Sequence, residues 1–190
     1  MAWRIRKDLS GPPPEIPLVP RALVKYTRLT TGIGTVFLAA TEKGICLLDV
    51  ETDEAEFRNR LRKSFGEIPV RDDVALAPLS EQLRQYLQGK KLHFTGPFDL
   101  RGTPFQLKVW NHLLSIPRRV VRTYKEVAEA IGRPRAYRAV GGAVAANPIP
   151  LIVPCHRVVA SGGRLGGYSL GLGLKRKLLG MEGYQGRLRD

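Results

Sequence analysis

The sequence predicts an α+β fold, with an N-terminal antiparallel sheet and its helices followed by a mostly helical C-terminal half containing a helix-turn-helix. Three observations carry this prediction. Alternating apolar segments separated by glycine turns fill residues 24–50, apolar residues recur at helical spacing between 53 and 87, and two N-cap signals after residue 102 each open a helix-period run. With 190 residues and 43% hydrophobic content, the chain can build a core as one large or two small domains without disulfide staples.

Residues 1–20 carry Pro12-Pro13-Pro14 and two further prolines, and read as an extension. No long apolar run occurs there, so neither a signal peptide nor a membrane span is expected. An N-terminal α+β domain is expected over 21–95. Within it, Val24 to Thr30, Thr35 to Thr41 and Ile45 to Val50 read as strands of an antiparallel meander, broken by Thr31-Gly32-Ile33-Gly34 and Glu42-Lys43-Gly44. Cys46 alternates with Ile45 and Leu47 in the third strand and reads as a packing residue. Asp53 to Phe65 and Leu76 to Leu87 follow as helices.

Residues 96–102 read as a linker, and 103–190 as the C-terminal domain. Thr103-Pro104 supplies an N-cap with proline at the first helical position, opening a helix to about Leu114. Phe105, Val109, His112 and Leu113 share one face of it, making His112 a flank of the core. The capping-box pattern Thr123-Tyr124-Lys125-Glu126 opens a second helix through Ile131, and Gly132-Arg133-Pro134 breaks and restarts the chain. A third helix is expected from Pro134 to about Ala146. It shows Arg135, Tyr137 and Arg138 near its start and then small residues: Ala139, Gly141, Gly142, Ala143 and Ala145. Past Arg138 it has few long polar side chains to read base edges in a major groove, which argues against sequence-specific regulation.

The net charge of +14 is uneven. Residues 1–100 hold 15 basic and 13 acidic side chains, whereas residues 101–190 hold 16 basic and 4 acidic ones. The C-terminal half is therefore suited to a phosphate backbone. No basic amphipathic helix with an aromatic face suggests a membrane surface. Two distant cysteines and three scattered histidines give neither a disulfide framework nor a zinc spacing. The expected setting is reducing and intracellular: cytoplasmic in a prokaryote, nuclear in a eukaryote.

Chemistry concentrates at Pro154-Cys155-His156-Arg157-Val158-Val159. A thiol reacts as its thiolate, and an adjacent imidazole and guanidinium are expected to lower the Cys155 pKa towards neutrality. The alternative is an inert buried cysteine, the commoner fate of this residue type. If the segment is extended, Cys155 and His156 point to opposite sides, and a water would have to bridge them.

Arg138-Ala139-Val140-Gly141-Gly142, Asn147-Pro148, Pro154-Cys155-His156-Arg157-Val158, Gly167-Tyr168-Ser169, Lys175 and Leu178-Leu179 with Glu182, in this order and spacing, resemble the O6-alkylguanine-DNA alkyltransferases. The likeness is strong from about Phe105 to Gly183, and further back lies mainly in element order. It implies a ribonuclease-H-like N-terminal domain, a helix-turn-helix of winged type, and direct repair of DNA. Cys155 would take an alkyl group from O6 of guanine, or O4 of thymine, once and irreversibly. By the same resemblance, Tyr124 protonates guanine N3, His156 and Glu182 form a water-linked relay, and Asn147 ties two segments together. Arg138 fills the gap left by a flipped nucleotide, and the third helix enters the minor groove of double-stranded DNA with Arg135, Tyr137, Ala139 and Gly141. Carbonyls around Cys155 and Val158, donors near Tyr168 and Ser169, and Lys175 would shape the pocket. Met181 reads as core. Leu170 stands where many relatives have glycine, which favours methyl over benzyl adducts. No diffusible cofactor and no metal are expected, and the chain is expected to act as a monomer. Two other classes remain open: a non-enzymatic binder of alkylated DNA, and a cysteine hydrolase.

Overall fold

A computed structural model describes residues 24–90 and 93–189. The expected proline-rich extension lies outside them. Strands β1 (Lys25–Thr31), β2 (Gly34–Thr41) and β3 (Gly44–Val50) form the expected antiparallel meander, with Arg28 opposite Phe37 and Leu38 opposite Leu48. A fourth strand, β4 (Val70–Arg71), pairs parallel to β1, so the sheet runs β3-β2-β1-β4 and is mixed. Two residues are too few for alternation to announce a strand.

Helix α1 (Glu54–Phe65) starts where the Asp53 carboxylate accepts from the Ala55 and Glu56 amides. It lays Phe57 and Leu61 on one side of the sheet, where Phe57 stacks on Phe37 with ring centroids 5.2 Å apart. Helix α2 (Ala77–Leu87) presents Leu83 and Tyr86 to the main core. The segment after it is tied to the sheet: Ile45 N–H donates to Pro97 O at 3.1 Å, and Asp99 N–H to Ile45 O at 2.9 Å.

Helix α3 (Pro104–Leu114) has the Thr103–Gln106 capping box, and Trp110 Nε1 donates to Ala143 O at 2.8 Å. His112 is half-buried. After β5 (Arg122–Thr123), the predicted capping box opens α4 (Tyr124–Ala130), with Thr123 and Glu126 bonded to each other's backbone. The next helix, α5 (Tyr137–Ala145), begins three residues later than predicted. Residues 133–136 turn instead, with Ala136 N–H on Arg133 O, so Pro134 and Arg135 belong to the turn of the helix-turn-helix. Strand β6 (Val158–Val159) pairs parallel to β5, and α6 (Leu172–Met181) closes the chain. Met181 is 37% exposed at its last position, contrary to the expected core placement, because Leu178 and Leu179 occupy the inward face.

One apolar interior joins the halves. Leu29, Val36, Leu38, Ile45 and Leu48 of the sheet pack in the same cluster as Val109, Trp110, Val127, Val140 and Val144 of the helices. Leu48 N–H also donates to Pro148 O at 2.9 Å.

Candidate active site

The cysteine is placed from both sides by backbone. Buried Asn147, just past α5, donates through Nδ2 to Val153 O at 2.8 Å and accepts from Ile149 N–H at 3.1 Å. These bonds fold 148–153 back on itself, and Leu151 adopts a left-handed φ of 72° inside the protein. Such a conformation costs roughly 1–2 kcal/mol in a non-glycine residue. Beyond Pro154, residues Cys155–Arg157 form one 3-10 turn rather than the expected extended segment. Val158 then joins β6, whose partner β5 leads directly into Tyr124.

Cys155 is 1% exposed. Burial pushes its thiol up to about 11, against a hydrogen bond from Asn147 and the charge of Lys175, which favour the thiolate. The expected lowering is thus reversed. Burial is the cause, and Arg157 does not offset it, because its guanidinium is spent on Glu182, through Nε at 2.9 Å and Nη2 at 2.6 Å, and on Ile116 O.

His156 is fully buried, with Nε2 3.0 Å from Glu182 Oε1. Burial lowers the imidazole pKa and Glu182 raises it, with a net fall. A neutral ring that donates from Nε2 leaves Nδ1 as a lone pair, and Nδ1 has no protein partner among the described residues. Burial alone would raise the Glu182 carboxyl, but His156 and Arg157 hold it well below the usual carboxylate range. A third donor, the Tyr86 hydroxyl of α2, sits 2.7 Å from Glu182 Oε1.

Lys175 is fully buried, not solvated. Its ammonium donates to the carbonyls of Val158 at 2.5 Å, Leu165 at 2.6 Å and Gly167 at 3.3 Å, and burial pulls its pKa down to about 8. The Val158 carbonyl is therefore already engaged. Burial, then the neighbouring Cys155, push the Tyr168 hydroxyl well above its ordinary value, and it has no hydrogen-bond partner among the described residues. Ser169 is exposed.

Tyr124 is half-buried, with its hydroxyl 3.4 Å from Gly167 O. Burial, then Cys155, raise its pKa, so the phenol keeps its proton at neutrality. Gly166 makes room for it: a Cβ there would lie 3.1 Å from the Tyr124 ring and hydroxyl, at a φ of +67°. Tyr124, Gly141, Val144, Ala145, Gly167, Tyr168 and Ser169 line a cavity of about 260 Å³. A larger hollow of about 620 Å³ touches Tyr86, Phe94, Pro154 and Arg157. It is lined by Tyr86 and Arg157, two partners of Glu182, but by neither Tyr124 nor Tyr168, so the smaller cavity is the candidate substrate pocket.

On the outer face of α5, Tyr137, Arg138, Ala139, Gly142, Ala145 and Ala146 are exposed, and the Arg138 guanidinium lies 5.8 Å from the Tyr137 ring centroid. Nothing lies within 4 Å of where a Gly142 Cβ would stand. Internal packing therefore does not explain the glycine at this position.

The fold and site together define a helix-turn-helix protein with a buried thiol: a bare outer helix face next to a cavity, with a cysteine and a His–Glu pair behind it. Family models agree with both halves, the 6-O-methylguanine DNA methyltransferase ribonuclease-like domain over residues 24–100 and the DNA binding domain of the same family over 104–184. An inducible methylated-DNA–protein-cysteine methyltransferase of Bacillus subtilis is 41% identical over 148 residues, covering 77% of this chain and 83% of that protein. A Mycolicibacterium paratuberculosis methylated-DNA–protein-cysteine methyltransferase is 48% identical over 160 residues, covering 84% and 93%. Among solved structures, Mycobacterium tuberculosis OGT in complex with DNA superposes with a TM-score of 0.73 at 38% identity, covering 83% of this chain and 92% of that one. The chain belongs to the 6-O-methylguanine DNA methyltransferase family.

Sequence reasoning brought Cys155, His156, Glu182, Asn147, Lys175, Tyr124 and Tyr168 to one neighbourhood, and they do meet. It missed Tyr86 altogether, whose only local sign is its helical spacing from Leu83.

Proposed function

We propose that the chain repairs double-stranded DNA by moving the alkyl group of O6-alkylguanine, and of O4-alkylthymine, onto Cys155 in a single irreversible turnover. The observation that carries this is a buried thiol flanked by Asn147, Lys175, Tyr168 and Tyr124, next to a base-sized cavity. The target oxygen lies inside the duplex, so the nucleotide must be extruded at a cost of a few kcal/mol. Exposed Arg138 fills the space it leaves, while the small-residue face of α5 permits close contact with the minor groove, where basic wedges commonly open the stack. Arg135 and Tyr137 flank that contact.

In the reaction the Cys155 proton passes through a water to His156 Nδ1, and Glu182 stabilises the imidazolium that results. Sulfur attacks the alkyl carbon, an S–C bond forms, and the C–O bond breaks with its electron pair left on O6. Tyr124 gives its proton to guanine N3, so guanine leaves neutral. Lys175 favours the thiolate electrostatically and holds the pocket loop through three carbonyls. The thioether cannot be reversed by another thiol, hence one event per molecule. Action as a monomer, in a reducing intracellular compartment, suits a thiol that must stay unoxidised.

Incubation with a methylated duplex should add one methyl mass to the peptide containing Cys155, and none in Cys155→Ala. Multiple turnover on an ester or peptide would favour a hydrolase instead, and tight lesion binding without any mass change would favour a binder.

A further inference from the structure

The Tyr86 hydroxyl belongs to the N-terminal half, 96 residues before Glu182, yet it bonds the same carboxylate oxygen that holds His156. Glu182 Oε1 has three donors, Tyr86 at 2.7 Å, Arg157 Nη2 at 2.6 Å and His156 Nε2 at 3.0 Å, and the imidazole contact is the longest. A carboxylate oxygen shared in this way has less negative charge to offer each donor. The Tyr86 ring is itself fixed, 5.2 Å from the Phe94 centroid and beneath Arg118 at 5.6 Å, and only 5% exposed. The groups that face this pair are thus Tyr86 from α2, His156 and Arg157 from the cysteine turn, Arg118 from the loop after α3, and Lys175 of α6, which acts on His156.

We infer that Tyr86 is a positioning residue for the relay: its hydroxyl fixes the Glu182 carboxylate and draws off part of its charge, and so sets how readily His156 accepts the Cys155 proton. This rests on the alkyl-transfer reading above. Without the hydroxyl, Glu182 becomes a stronger acceptor and favours the imidazolium. A protonated ring cannot take the thiol proton, so the acidic limb of the rate profile moves to higher pH.

The test uses Tyr86→Phe in the full chain, with single-turnover transfer from a methylated duplex followed from about pH 4.5 to about pH 9, because burial places the His156 limb below the ordinary imidazole range. Phenylalanine retains the ring packing. A stronger base also takes the thiol proton more readily, so on the alkaline plateau the variant should transfer roughly three- to tenfold faster than the parent, as part of one hydrogen bond to a charged group is lost, and the two profiles should converge towards the acidic end. Duplex binding should be unchanged, and the His156 ring followed by NMR should titrate at higher pH in the variant. Superimposable profiles would overturn the inference, as would equal loss at every pH with a lowered melting temperature, the mark of a merely structural hydroxyl. If the parent transfers nothing, the alkyl-transfer reading fails first and takes this one with it.

Discussion

Replacing Cys155 with alanine tests whether the thiol is neutral at rest. Burial moves its pKa from 9.0 up to about 11, so the folded chain holds this proton where the unfolded chain releases it. For an acid shifted upwards, the associated stability is fully present below about pH 9 and is lost as pH rises through about 11. Each tenfold in proton affinity is about 1.4 kcal/mol, so the whole effect approaches 3 kcal/mol, of which about 2 kcal/mol is gone by about pH 10.5. Cys46 remains in both proteins and cancels in the difference, whereas Lys175, Tyr124 and Tyr168 feel the Cys155 charge. Urea denaturation of parent and Cys155→Ala at matched pH values therefore reports the thiol together with its coupling to these three groups. The parent should lose about 2 kcal/mol more than the variant between about pH 8 and about pH 10.5. Parallel curves would refute the argument, since they would mean that the sulfur ionises as easily inside as outside.

Glu182→Gln leaves Arg157 buried opposite a neutral amide, and should lower stability by about 3–5 kcal/mol in denaturant titration and slow transfer more than a hundredfold in single-turnover assays. Arg138→Ala removes an exposed side chain whose guanidinium lies 5.8 Å from the Tyr137 ring centroid, so stability should stay within about 0.5 kcal/mol while transfer from duplex DNA slows sharply. Transfer from the free methylated base, which needs no extrusion, should be spared. Gly166→Ala forces a left-handed alanine against Tyr124, with an expected cost of about 1–2 kcal/mol in melting experiments and a slower transfer step. Half-buried Leu170 follows the pocket residue Ser169, and Leu170→Gly should raise the benzyl rate relative to methyl on matched duplexes.

How much of this could be read from the chain depended on whether the determining contacts are local. The Thr103 N-cap and the Thr123–Glu126 capping box are local and lie where the spacing put them, and Gln106 completes a second box at Thr103. The three long strands announced themselves by alternation, whereas β4 is held by two residues of pairing with β1 and gave no pattern. Lys175 sits in Lys175-Arg176-Lys177, three cations that look alike in a row. Only its spacing of three and four from Leu178 and Leu179 places it on the inward face. The acidity of Cys155 runs opposite to the expectation because burial, which adjacency in sequence does not show, raises its pKa, while the 3-10 turn delivers the Arg157 guanidinium to Glu182. Tyr86 had no local signature, since its partner lies at the far end of the chain.

The interior shared by β1–β3 and α3–α5 bears on how such a molecule can be rebuilt. Its two family segments are not interchangeable cassettes, because the same side chains that close the sheet also form the floor beneath the helices. Grafting a foreign first half would require recutting every surface it shares with Trp110, Val127 and Val144, and supplying a phenol at the depth of Glu182. A chimera that ignored this would melt in two steps, whereas the parent should melt in one.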